Sequence, residues 1–173
     1  TDAAPIGIFD SGIGGLTVAR AIYERLPGES TIYFGDTARV PYGPKSPETV
    51  RRYSLEILHW LLGQGVKLVV IACNTSTAHA LGTLRKESPV PVIGVIEPGA
   101  RAAVDATRGG PVGVIGTAGT IASNAYACHR THRPRLPPAP HRERRRCAGA
   151  RLHPLSAPQT PAEPGDGRRR HAD

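Results

Sequence analysis

The strongest constraint on the fold is the stretch from Leu68 to Leu84. Leu68–Ala72 is a short apolar run that ends at Cys73, and Asn74, Thr75, Ser76 and Thr77 then open a helical pattern. Such a run reads as a buried parallel strand handing over to a helix. Open α/β sheets bind their ligands at the carboxyl ends of their strands, so Cys73 falls where chemistry is usually done. The small oxygen-bearing residues behind it are good N-caps and leave helix-start N–H groups free for an anion. A helix N-terminus also favours a neighbouring thiol as thiolate. The plainer reading of the same residues is a small buried thiol followed by a helix cap.

The same grammar recurs on either side. Ile6–Phe9 stops at Asp10-Ser11-Gly12-Ile13-Gly14-Gly15, after which Leu16, Val18, Ala19, Ile22 and Leu26 recur at helical spacing. This is the opening of a βαβ unit. Thr31–Phe34 is a second strand, and the loop Gly35–Pro44 behind it, punctuated by proline and glycine, has the length of a binding loop. Ser46, Pro47 and Glu48 supply an N-cap, a first-position proline and a first-turn acid to a helix running to about Gly63. Pro91–Val95 is a further strand, and Ala100–Ala106 a further helix. Val112–Ile115 is followed by Gly116-Thr117-Ala118-Gly119-Thr120-Ile121, which repeats the first unit. The expected fold class is therefore α/β: a parallel-sheet domain with helices on both faces, plus the start of a second similar domain, the two facing one cleft. Residues 1–96 form the first, incomplete domain in this reading, 97–125 the start of the second, and 126–173 a tail.

The glycine turn is a poor dinucleotide site, because the third glycine position is Thr17 and Asp10 would repel phosphate. Asp10 suits a ligand carrying both carboxylate and ammonium, such as an amino acid, or serves simply as a cap. No run is long and apolar enough to span a membrane, and Thr1–Pro5 leads straight into a strand, so a cytoplasmic protein is expected. Cys73, Cys128 and Cys147 are an odd number without a C-x-x-C, which indicates neither a disulfide framework nor a zinc ribbon.

A net charge of +8 suggests nucleic acid until it is divided along the chain. Residues 1–127 hold 11 basic and 10 acidic side chains; residues 128–173 hold 11 arginines against 4 acids. That last stretch also has 8 prolines, no lysine and no apolar periodicity, a composition expected to be disordered. Its lysine-free, arginine-rich character is what a GC-rich gene yields out of frame, so a frameshift near Ala125–Cys128 is one expectation.

Taken together, Gly7–Gly15, Tyr33-Phe34-Gly35-Asp36 with Pro41-Tyr42-Gly43, Ala72-Cys73-Asn74-Thr75, Gly94–Pro98 and Ile115-Gly116-Thr117 resemble the glutamate racemases of the aspartate/glutamate racemase superfamily. The resemblance covers about residues 5–125. It implies cofactor-independent interconversion of L- and D-glutamate by two cysteines on opposite faces of the substrate, feeding peptidoglycan synthesis, with no metal and a homodimer in intact members. By resemblance, Cys73 is the first catalytic cysteine, and Asp10, Ser11, Tyr42, Gly43, Asn74, Thr75 and Thr117 hold the substrate. Carboxylates would be held by N–H and hydroxyl donors, with Asp10 contacting the ammonium or orienting Cys73.

The chain departs from the family at the second cysteine, which lies in a Gly-Cys-Thr-His motif absent here. Neither Cys128 nor Cys147 has that form. Cys128-His129-x-x-His132 would make a poor metal site. This chain is therefore expected to be inactive as it stands. Alternatives are a non-catalytic module that binds an acidic amino acid, an aspartate racemase, and nonspecific nucleic-acid association through Arg142, Arg144, Arg145, Arg146 and Arg168–Arg170.

Overall fold

In the computed structural model, the described residues are 3–107, 110–128 and 152–154. Four parallel strands form the main sheet in the order β2-β1-β3-β4: β1 (Ile6–Asp10), β2 (Thr31–Gly35), β3 (Leu68–Ile71) and β4 (Val92–Gly94). Ile8 of β1 sits between Tyr33 and Val70, and Ile93 flanks Val70 on the far side. The crossovers are α1 (Leu16–Arg25), α2 (Pro47–Gly63) and α3 (Asn74–Glu87). Beyond β4 come α4 (Ile96–Ala106), β5 (Val114–Gly116), α5 (Ala118–Ala122) and α6 (Ala125–Cys128). A short strand β6 (Leu152–Pro154) pairs in parallel with β5.

The period-two alternation of the strands decides which side chain meets which helix. Phe9, Val69, Ile71 and Cys73 face α2 and α3, where they pack with Val50, Ile57, Leu58, Leu61, Ala80 and Leu84. Each valine, leucine, isoleucine or phenylalanine fully buried there contributes roughly 1.5–3 kcal/mol. Ile6, Ile8, Val70 and Ala72 face the other way, onto Ala19, Val18 and Ile22 of α1. Helices thus cover both faces, as the sequence predicts, but unequally: Ile93 of the edge strand β4 is 44% exposed. Leu16 and Leu26, which share the helical spacing of α1, are also about half exposed, so that helix buries a narrower stripe than its apolar pattern suggests.

Local rules fix the helix ends. Ser46 caps α2 by accepting from the Thr49 N–H at 3.2 Å, with Pro47 in the first turn. Gly65 beyond its end has φ +73, the left-handed region that ends helices. The helix α4 begins at Ile96, four residues before the predicted start at Ala100, and so takes in Pro98 and Gly99. Proline in a first turn gives up only an N–H that has no intrahelical partner. Of the stretch read as a tail, the structure describes only the end of α6 and β6. The remainder, with Cys147, four of the five histidines beyond residue 127 and the arginine runs, lies outside the described residues.

Candidate active site

The loops leaving β1, β2, β3 and β5 meet at the carboxyl edge of the main sheet. Asp10, the last residue of β1, is buried, and its Oδ2 accepts from the backbone N–H of Gly12 at 3.2 Å and of Gly15 at 3.0 Å. The carboxylate therefore caps the glycine turn from within and sits at the N-terminus of α1, where negative charge is favourable. Only glycine fits at 15, since a Cβ there would lie 2.6 Å from the Asp10 Cβ and 2.8 Å from the Ala72 Cβ.

Cys73 is the N-cap of α3, with extended backbone and 5% exposure. Its sulfur accepts from the Ser76 N–H at 3.4 Å, and its thiol donates to the Ser11 Oγ at 3.5 Å. This joins the first and third strand ends through two side chains 62 residues apart in sequence. Cys73 is thus both a buried cap, as the plainer reading has it, and a thiol facing a hydroxyl at the sheet edge.

The second unit meets the first through hydroxyls. Thr117 caps α5 by accepting from the Thr120 N–H, the same device that Cys73 uses on α3. Thr75, Thr117 and Thr120 form a closed ring: 3.1 Å from Thr75 to each of the other two, and 3.0 Å between those two. Thr75 and Thr120 are buried, and Thr117 is the exposed member. Asn74 is exposed, and its Oδ1 accepts from the Tyr126 hydroxyl at 2.6 Å.

Tyr42 and Gly43 are both buried in the loop after β2. Gly43 lies directly against the second unit, for a Cβ there would come within 2.6 Å of the Thr117 Cβ. The Tyr42 hydroxyl is committed to the Asp36 carboxylate rather than to the cleft. What this pair offers a ligand is main-chain N–H: among the described residues, neither backbone N–H has a partner. Asp36 also accepts from Arg39 Nε at 2.7 Å, and Arg39 reaches on to Glu56 of α2 while its guanidinium lies 4.2 Å from the Tyr53 ring centre. Burial, then the hydrogen bond to Asp36 and its charge, push the Tyr42 phenol far up, so it stays protonated. Burial lowers the Arg39 guanidinium, but its bonds to Glu56 and Asp36 more than offset this and hold it above its ordinary value.

The structure thus brings Ser11 to Cys73 and Gly43 and Thr75 to Thr117, and sets Asp10 beneath the glycine turn. Sequence reasoning missed Asp36, Arg39, Tyr33, Thr120 and Tyr126. Tyr33 donates to the Gly12 carbonyl at 3.1 Å, and burial, with Asp10 and Cys73 close by, pushes its phenol up to about 12. An aspartate placed just after a strand, followed by Arg39 and Tyr42, was the available signal for the Asp36 cluster. Among the described residues, no group of three or more His, Cys, Asp or Glu side chains could hold a metal ion, and no helix is long and apolar enough to cross a membrane.

A parallel sheet whose strand ends present a capped thiol, hydroxyls and unpartnered main-chain donors defines a class of open α/β protein whose site lies at the carboxyl ends of its strands. Residues 9–132 match the Asp/Glu/hydantoin racemase family, and the chain belongs to that family. It is 66% identical over 109 residues to the glutamate racemase of Geobacter metallireducens, an alignment covering 63% of this chain and 40% of that protein. Among solved structures, it superposes on glutamate racemase from Thermus thermophilus in complex with β-chloro-D-alanine with a TM-score of 0.68 at 55% identity, over 73% of this chain and 48% of the other. Glutamate racemase from Francisella tularensis in complex with D-glutamate gives a TM-score of 0.67 at 44% identity, over 74% and 48%. The chain spans about two fifths of the length of the curated relatives it matches and about half that of the solved chains.

Proposed function

We propose that this chain carries one half of a cofactor-independent glutamate racemase site, with Cys73 as the acid/base for one face of the substrate. Racemisation requires removal of a weakly acidic α-proton and its return from the opposite side, hence two acid/bases about a planar carbanion. A Cys73 thiolate would take the α-proton, becoming a thiol, and the electron pair would be held on the substrate carboxylate. Main-chain N–H groups at Tyr42 and Gly43 and hydroxyls at Ser11, Thr75 and Thr117 would hold the carboxylates, with the Asn74 amide at the rim. Asp10, already holding two N–H groups through Oδ2, would meet the ammonium through its other oxygen. The observation that carries this reading is Cys73 itself, a thiol hydrogen-bonded to Ser11 at the sheet edge and seated on a helix N-terminus.

With Cys73 the one thiol placed there among the described residues, and no Gly-Cys-Thr-His motif in the sequence, the expected chemistry stops half-way. Purified protein incubated with each glutamate enantiomer in heavy water should exchange the α-proton of one enantiomer with retention, and produce no net conversion. The variant Cys73→Ala should lose that exchange. Net D-glutamate formation from L-glutamate would overturn the one-face reading, and exchange that survives Cys73→Ala would remove the thiol from it. Glutamate binding without exchange would leave a binding module, the second reading. Parallel incubations with aspartate set the side-chain preference. Where both acid/bases are present the same chemistry would supply D-glutamate to peptidoglycan in the cytoplasm.

A further inference from the structure

Tyr42 and Gly43 belong to a loop that has no regular structure of its own, yet both are buried, and Gly43 lies so close to Thr117 that a Cβ on it would come within 2.6 Å of the Thr117 Cβ. Something must hold that loop down. The only buried charged group beneath it among the described residues is Asp36, whose Oδ2 accepts both from the Tyr42 hydroxyl and from Arg39 Nε. Arg39 in turn is fastened to α2 through Glu56 and through the face of Tyr53, whose ring centre lies 5.7 Å from that of Tyr42. At its start the loop is tied to the sheet, because the Asp36 N–H donates to the Asp10 carbonyl at 3.0 Å.

We propose that Asp36 is a positioning residue, one that never meets the ligand but fixes the Tyr42 and Gly43 main-chain donors at the mouth of the cleft by anchoring the Tyr42 phenol and the Arg39 guanidinium. The phenol of Tyr42 is then an anchor rather than a ligand contact. The loop is then a fixed rim, with the Tyr42 side chain turned inward onto Asp36. A carboxylate suits the role because it can accept from a hydroxyl and a guanidinium at once, and hydrogen bonds to charged groups are the stronger kind. The proposal rests on the reading of the cleft as an acidic-amino-acid site.

The test uses the full chain and the variants Tyr42→Phe, which removes one oxygen, and Asp36→Asn, which removes the charge. Two quantities are measured well below the melting temperature: amide hydrogen exchange across residues 36–45, and the dissociation constant for L-glutamate by titration calorimetry. The expected result is faster exchange confined to that segment, with unchanged protection of β1 and β3, and glutamate affinity about tenfold weaker in both variants. Unchanged exchange would overturn the anchor. Faster exchange with unchanged affinity, or a lowered melting temperature alone, would make Asp36 an ordinary core residue and overturn the proposal. If Asp36→Asn does not fold, Tyr42→Phe decides. If the unsubstituted chain binds no glutamate, the functional reading falls, and exchange across 36–45 alone decides whether Asp36 orders the loop.

Discussion

Asp10 and Asp36 stand side by side at the ends of neighbouring strands, both buried, and are held in opposite ways. Asp10 is held by backbone, through the N–H groups of Gly12 and Gly15. Asp36 is held by side chains, through Tyr42 and Arg39. A backbone-held carboxylate needs a tight turn and leaves little freedom to its neighbours. One held by side chains needs only reach, and its partners lie three and six residues away with their own further attachments. The first turn is therefore expected to be brittle and the second tolerant.

The largest effect is expected from filling the brittle turn. Gly15→Ala places a methyl against the Asp10 and Ala72 Cβ atoms, and overpacking of this kind costs about 3 kcal/mol. Urea unfolding should register it, and a loss under half of that would show the turn to be softer than its geometry. Asp10→Ala strands two buried N–H donors at about 2 kcal/mol. Asp36→Ala should cost less, about 1 kcal/mol, since it strands one buried donor, the Tyr42 hydroxyl, while Arg39 keeps Glu56 and is partly exposed. A greater loss for Asp36→Ala than for Asp10→Ala would invert the comparison.

Alkali should sharpen it. The Tyr33 phenol, which braces the Gly12 carbonyl of the Asp10 turn, is raised from 10.0 to about 12. Because the folded value is the higher one, its contribution is complete below about pH 10 and is lost as pH rises towards about 12. Tyr33→Phe should therefore flatten the fall in stability within that window, while leaving its slope below about pH 9 unchanged. A steeper alkaline limb in the variant would contradict the shift. The smallest effect is expected at Glu48, whose carboxyl is lowered chiefly by its own backbone N–H and by Ser46 at the start of α2. Its contribution is present above the unfolded value and lost on acidification, so Glu48→Gln should slightly reduce the acid sensitivity of the melting temperature.

Legibility in the sequence divides along the same line. The crossover fold, the Ser46 cap and the strand ends at Asp10 and Cys73 announce themselves through apolar runs and short polar residues that act locally. The start of α4 escapes this reading because proline and glycine normally break helices, and only the position of Pro98 within the first turn makes it harmless. Asp36, Arg39 and Tyr42 carry no periodic signature, since their bonds depend on where a loop folds back onto α2. Two of the three ring threonines are visible in the sequence, Thr75 and Thr117 by resemblance to a known family; Thr120 is not, because its partner Thr75 is 45 residues distant.

The threonine ring has a consequence in the counting of protons. Three hydroxyls own three protons, and three hydrogen bonds use all of them. A ligand oxygen approaching the Thr117 hydroxyl finds no hydroxyl proton to spare and must open the circuit, turning one hydroxyl outward. Opening costs a neutral hydrogen bond worth about 1 kcal/mol, and only an anionic acceptor, whose bond is roughly twice as strong, returns more than is lost. A carboxamide oxygen at the same place comes out about even. The closed ring would thus act as a threshold, letting a carboxylate in and gaining nothing from its neutral amide.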